Sequence, residues 1–265
     1  MNMKIRKYLA IFVTAALVCF VLSFINAFMG NPISKALVNY AAKKYIEQHY
    51  FGLNLTMDKA FYNFKDGKYH VNVKSTTSID THFSISFTGT GKFIYDDYKD
   101  MVLSKWNTFQ RLDTEYRNLT DIVLENEDFP YESDIAFGEI MDKSQPFDEL
   151  EIDKEYDIKE LGKKEGHIVL YVTSNMLDAE TLAQTLVEVK SLFDQKKVPF
   201  YSIDLTLQTS RSEDQKSRES IQIQDFLYQD IYAGRLQERV QENVDLTRAY
   251  YEQRDKEKDS QSSEQ

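Results

Sequence analysis

Tyr8–Met29 reads YLAIFVTAALVCFVLSFINAFM and contains no charged residue. Wound as an α-helix, at about 1.5 Å per residue, it is long enough for the ~30 Å hydrocarbon core of a bilayer. Nothing else in the chain approaches that length of uncharged apolar sequence. The expectation is one transmembrane helix, Tyr8 to Met29, with a water-exposed body on one side of a membrane. Lys4, Arg6 and Lys7 precede the run; Lys35, Lys43 and Lys44 follow it and blunt the contrast, with Lys43 and Lys44 lying further away. Basic residues flanking a span stay in the cytoplasm, which puts the N-terminus inside and the body outside the cytoplasm. A cleaved signal peptide has an apolar region of only about 7–15 residues and a small-x-small site. Asn26-Ala27-Phe28-Met29-Gly30 offers no such site, and Ala16-Leu17-Val18 ahead of Cys19 is a poor lipid-attachment signal. An uncleaved cell-membrane anchor follows.

The chain has 17 Phe and 17 Tyr against 9 Gly and 4 Pro, a composition that supports a folded core rather than disorder. Its formal charge of -11 disfavours a nucleic-acid partner, since phosphates are repelled. Cys19 is the only cysteine, so the body beyond the anchor can form neither a disulfide nor a thiolate metal site.

After Asn31-Pro32, a helix start signal, Ile33, Leu37, Ala41 and Tyr45 repeat at helical spacing up to about His49. Alternating patterns at Leu53–Met57, Tyr69–Val73 and Phe83–Phe87 predict strands, with Asp66-Gly67 as a hairpin turn. Gly89-Thr90-Gly91 bends the chain before Phe93-Ile94-Tyr95. Val102, Trp106, Phe109, Leu112, Tyr116, Leu119 and Val123 form one long amphipathic stripe, laid across the preceding sheet. Beyond it, strands are expected at Phe147–Ile152, Ile168–Val172, Tyr201–Leu207 and Ile221–Phe226. Helices are expected at Asp157–Lys164, after Asp178 and from about Arg235, and a charged loop at Ser210–Ser220. The fold class is therefore α+β: a single transmembrane helix, then two small α+β domains, each an antiparallel or mixed sheet packed on helices. The boundaries are residues 1–30 for the stub and anchor, 31–127 and 128–254 for the two domains, and 255–265 for a disordered tail.

GNPISKALVNYAAKKYIEQHY, from Gly30 to Tyr50, and FYNFKDGKYHVNVKSTTSIDTHFSISF, from Phe61 to Phe87, together resemble the YfjL-like family. GHIVLYV from Gly166 and VPFYSIDL from Val198 resemble that family's C-terminal domain. The resemblance implies a single-pass membrane protein of Gram-positive bacteria and brings no assigned activity. The first domain is also similar in outline to PepSY-type modules, which implies protease regulation or extracytoplasmic sensing.

Candidate chemistry is sparse. Asp80 and His82 are two apart and share a face if they lie on a strand; His70 is on the polar side of another strand. A metal site of His70, Asp80 and His82 is geometrically open, although solvated polar positions account for the same pattern. His49 reads as a helix end and His167 as a strand start. Gly89-Thr90-Gly91-Lys92 fails as a phosphate loop, because Ser86 and Phe93 stand where Gly and Ser/Thr are required. Glu149, Glu151, Asp153, Glu155 and Asp157 alternate, but Ile158 occupies the position of the calcium-loop glycine, so a solvated acidic edge is expected. No G-x-S-x-G or H-E-x-x-H occurs. Asn54-Leu55-Thr56 and Asn118-Leu119-Thr120 are glycosylation sequons with meaning only in a eukaryotic secretory host.

The expected function is a non-catalytic protein-interaction or regulatory module at the cell surface, with no catalytic residue and no cofactor. Its partners would be the membrane and a protein. The alternatives are a metal-dependent enzyme with a site near Asp80 and His82, and a sensor binding a ligand between the two domains.

Overall fold

The computed structural model describes residues 3–141, 149–210 and 218–262. Its chain divides into two compact units. The first comprises Met1–Phe109 and Glu149–Lys154, and the second Gln110–Asp148 and Glu155–Gln265.

The first unit opens with helix α1 (Met3–Met29). Gly30 ends it, with a left-handed φ of 71° and its N–H donating to the Asn26 carbonyl. An added Cβ on Gly30 would lie 2.5 Å from the Tyr62 Cβ, so the turn is closed to any larger residue. Asn31 then caps α2 (Pro32–His49), accepting the Ile33 N–H at 2.7 Å, as the Asn-Pro pair predicts.

The first sheet is antiparallel. β3 (Lys68–Ser75), β4 (His82–Phe87) and β5 (Phe93–Asp96) lie side by side, and β1 (Leu55–Met57) and β2 (Phe61–Asn63) both pair with β3. Gly67, with φ 69°, makes the expected turn between β2 and β3. Tyr69, Val71 and Val73 on β3 and Phe83, Ile85 and Phe87 on β4 are buried with Val38 and Ala42 of α2. The buried stripe of α2 thus passes through Val38 and Ala42. Of the residues that repeat at helical spacing, Ile33 and Leu37 are 70% and 47% exposed, while Ala41 and Tyr45 pack against the core.

The long stripe predicted from Val102 is broken. Val102 belongs to a π-helical turn (Lys99–Leu103), Lys105 has φ 66°, and α3 proper is Trp106–Leu124. The sequence reading placed the whole helix in residues 31–127, whereas the division between the units falls inside α3. From Gln110 onward α3 packs in the second unit. There Tyr116 is fully buried and donates its hydroxyl to the Pro199 carbonyl at 2.9 Å. Gly162 and Gly166 make room for that ring: a Cβ on Gly166 would lie 2.3 Å from the Tyr116 hydroxyl.

The second sheet is mixed, ordered β6 (Ile135–Ile140), β7 (Gly166–Thr173), β8 (Ser202–Gln208) and β9 (Ser220–Leu227). β7 and β8 are parallel and the outer pairs are antiparallel. The parallel pair requires a crossover, which α5 (Ala179–Lys196) supplies. Asp178 caps α5 through the Thr181 N–H, and Leu182, Leu186, Val189 and Phe193 are fully buried, as its stripe predicts. Asp157 caps α4 (Ile158–Glu165) in the same way. The short α6 (Tyr228–Ile231) precedes α7 (Leu236–Ser262), which buries Val240 and Val244.

Four expectations are corrected. Among the described residues no helix is long and apolar enough to cross a membrane, so the transmembrane helix expected over Tyr8–Met29 is not supported. The side chain of Cys19 lies outside the described residues. α7 remains helical to Ser262, where order was expected to end near Arg254. No strand forms over residues 149–152, and the rest of the strand expected at Phe147–Ile152 lies outside the described residues. β6 was not anticipated, because its sequence IAFGEI sits inside an acidic stretch. The charged loop expected at Ser210–Ser220 lies mostly outside the described residues.

Candidate functional site

His70, Asp80 and His82, which the sequence suggested as a metal site, do not converge. His70 is the register partner of Ser86, and His82 that of Lys74. The two histidines therefore stand four positions apart along the ladder, about 13 Å at strand spacing. His82 is exposed. Asp80 precedes β4 and is 1% exposed. Its Oδ2 accepts the Thr108 hydroxyl at 2.8 Å and the Asp153 N–H at 2.9 Å. In return the Asp153 carboxylate accepts the Asp80 N–H at 2.9 Å and the Ser78 hydroxyl at 2.9 Å. Asp80 and Asp153 therefore clasp two loops of the first unit together. The acidic edge at 149–157 stays exposed, but Asp153 within it has this structural role.

His70 is enclosed differently. Its Nδ1 lies 2.9 Å from the Ser86 Oγ and its Nε2 2.9 Å from the Asp66 Oδ2. The Phe61 ring stacks beside it, with centroids 5.6 Å apart. Ser86 has no exposed surface, and His70 is buried. Burial alone would raise the Asp66 carboxyl, but the Lys68 N–H and the His70 ring outweigh it and hold the group below its ordinary value. This is a serine, a histidine and an aspartate in line, yet the serine is sealed from any substrate.

His49 is the helix-end residue expected, with its ring stacked on Tyr45 at 4.1 Å. His167 is the strand-start residue expected on β7, but its surroundings were not foreseen. Its register partners are Glu139 on β6 and Ser202 on β8. The His167 Nδ1 lies 2.9 Å from the Ser202 Oγ, and its Nε2 lies 3.4 Å from the Asp204 Oδ1. The second distance exceeds an ordinary hydrogen bond. His167, Asp204 and Asp225 each bring one ligand-capable atom into a group spanning at most 4.8 Å.

The local chain explains this grouping. The pairing of β8 and β9 slips between Ile203 and Leu205, and the residue opposite, Asp225, has φ 49°. That irregularity turns the Asp225 N–H onto the Asp204 Oδ1 at 2.7 Å. Burial raises the neighbouring Glu139 carboxyl, opposed by His167 and reinforced by Asp113 and Asp204. No spacing motif announces the group, because His167 and Asp204 meet only through the parallel register of β7 and β8.

Comparison with protein families finds two matches, one in each half of the chain. Residues 5–97 match the YfjL-like N-terminal domain, and residues 115–241 match the YfjL-like C-terminal domain. No curated protein and no solved structure matches the chain. With both domains matched in order, the chain belongs to the YfjL-like family.

Proposed function

We propose that this chain is a non-catalytic interaction or regulatory module held at a lipid surface by α1, with its body outside the cytoplasm. The observation that carries the proposal is the surface of α1. Tyr8, Phe12, Phe20 and Met29 are each about two-thirds exposed or more, and Ile11, Leu17, Val18 and Phe24 each more than half. A helix apolar all round is stable only when protein or lipid covers it. At its end, Phe28 meets Phe64 with centroids 5.6 Å apart, which ties the helix to the first sheet's hairpin. A non-catalytic role is supported by Ser86 and Ser202: each stands beside a histidine, and neither has exposed surface for a substrate. The Gram-positive setting implied by the resemblance and a body outside the cytoplasm are part of the same proposal.

Flotation with phospholipid vesicles tests the lipid attachment. The full chain should float, and a Leu17→Lys/Phe20→Lys variant, altered only at exposed positions, should stay in the aqueous fraction. A full chain that remains free of vesicles overturns the reading. External protease on intact cells checks the outward body, which should be cut. Crosslinking in cells should recover one reproducible protein neighbour.

A further inference from the structure

The geometry points to a divalent transition-metal site in the second unit, formed by His167 Nε2 and the carboxylates of Asp204 and Asp225. This inference is independent of the lipid proposal. One imidazole and two carboxylates form a ligand set suited to zinc, and also accessible to cobalt, nickel or manganese.

Three observations carry it. First, His167 is 3% exposed, and Ser202 holds its Nδ1 at 2.9 Å. A hydroxyl accepting the Nδ1 proton leaves the Nε2 lone pair as the ligating end, the arrangement by which a supporting residue orients a metal-bound histidine. Second, that Nε2 faces the Asp204 Oδ1 at 3.4 Å, too far for a good hydrogen bond and suited to a cation between them. Third, the group runs from buried His167 to exposed Asp225, so it reaches the protein surface. Tetrahedral ligands at about 2.1 Å from zinc lie about 3.4 Å from one another. The three ligand atoms, all within 4.8 Å of one another, lie near that spacing and would draw together around the ion. Three protein ligands leave the fourth position for water or for a donor from a partner.

The test uses the purified full chain. Zn²⁺ is titrated by calorimetry, and Co²⁺ by its visible absorption. The expected result is one ion per chain and a cobalt spectrum of low coordination number. Asp225→Asn should abolish saturable binding. That variant should fold, because Asn tolerates the left-handed φ at this position and keeps the N–H to Asp204; circular dichroism and a melting curve on the metal-free protein verify it. Ser202→Ala, which removes only the orienting hydroxyl, should weaken binding about tenfold. His82→Ala should change nothing. Unchanged affinity in Asp225→Asn, or no saturable binding by the full chain, overturns the inference. Loss of binding in His82→Ala also overturns it, by moving the ion to the first unit.

Discussion

His70 in the first unit and His167 in the second begin from the same local pattern. Each lies on a strand directly opposite a fully buried serine, and each presents Nδ1 to that serine at 2.9 Å. They differ at the other nitrogen. Asp66 meets His70 Nε2 at 2.9 Å from the adjoining turn, and Phe61 stacks over the ring. Asp204 stands back from His167 Nε2 at 3.4 Å, and a strand irregularity brings a second carboxylate, Asp225. The first array is closed and holds the sheet together. The second is left open at one nitrogen, which gives it room for an ion. Whether a buried histidine is structural or available for chemistry is decided by half an ångström at one atom and by the residues beyond it.

Five variants sharpen or break this contrast. The largest effect is expected from His70→Ala, which strands the Ser86 hydroxyl and removes the stack on Phe61, costing about 3 kcal/mol. Urea unfolding, with hydrogen exchange read at the β3 and β4 amides, measures it. His167→Ala in metal-free protein should cost less, about 1–2 kcal/mol, because only one good hydrogen bond is lost. Equal losses in the two variants would erase the distinction. Saturating zinc adds to the contrast: at a hundredfold excess over Kd the bound ion stabilises by about 2.7 kcal/mol. His70→Ala should keep that increment in a thermal melt, and His167→Ala should lose it.

Ser86→Ala should cost about 1 kcal/mol and leave metal binding intact. Ser202→Ala should cost a similar amount and weaken the ion, as calorimetry on the same preparations can show. The smallest effect belongs to Asp66. Its carboxyl is held below the ordinary value in the folded chain, so its contribution is fully present above the unfolded value. That contribution is lost as pH falls through the folded value. The small advantage of the natural chain over Asp66→Asn should therefore be present at neutral pH and vanish in acid, as read from unfolding midpoints across that range.

Much of the local structure was legible from residue types. Asn31, Asp157 and Asp178 start helices because a short polar side chain satisfies the free N–H groups of the first turn. Gly67 sits at the β2–β3 turn because its φ is positive. The inner face of α5 follows from apolar residues three and four apart. Other readings missed. The stripe from Val102 to Val123 is interrupted at Lys105, and on α2 the fully buried positions are Val38 and Ala42 rather than any of the residues whose spacing announced the helix. Pattern shows that a helix has an apolar stripe, and packing selects which neighbouring residues fill it. The candidate site was legible only in His167 as a strand start: Asp80 is bonded on both sides, while Asp204 and Asp225 reach His167 only through strand register.

From its sequence alone this chain specifies an α+β protein with capped helices, alternating strands, an apolar N-terminal helix and a thiol-free acidic body. These properties depend on residues within a few positions of one another, where backbone geometry leaves few choices. Tertiary structure decided that α3 beyond Gln110 belongs with the second unit, that Asp80 pairs with Asp153, and that His167 faces Asp204 and Asp225. Each of those outcomes joins residues far apart in the chain. Their meeting is set by strand register and by the burial of the whole core, to which no short stretch holds the key.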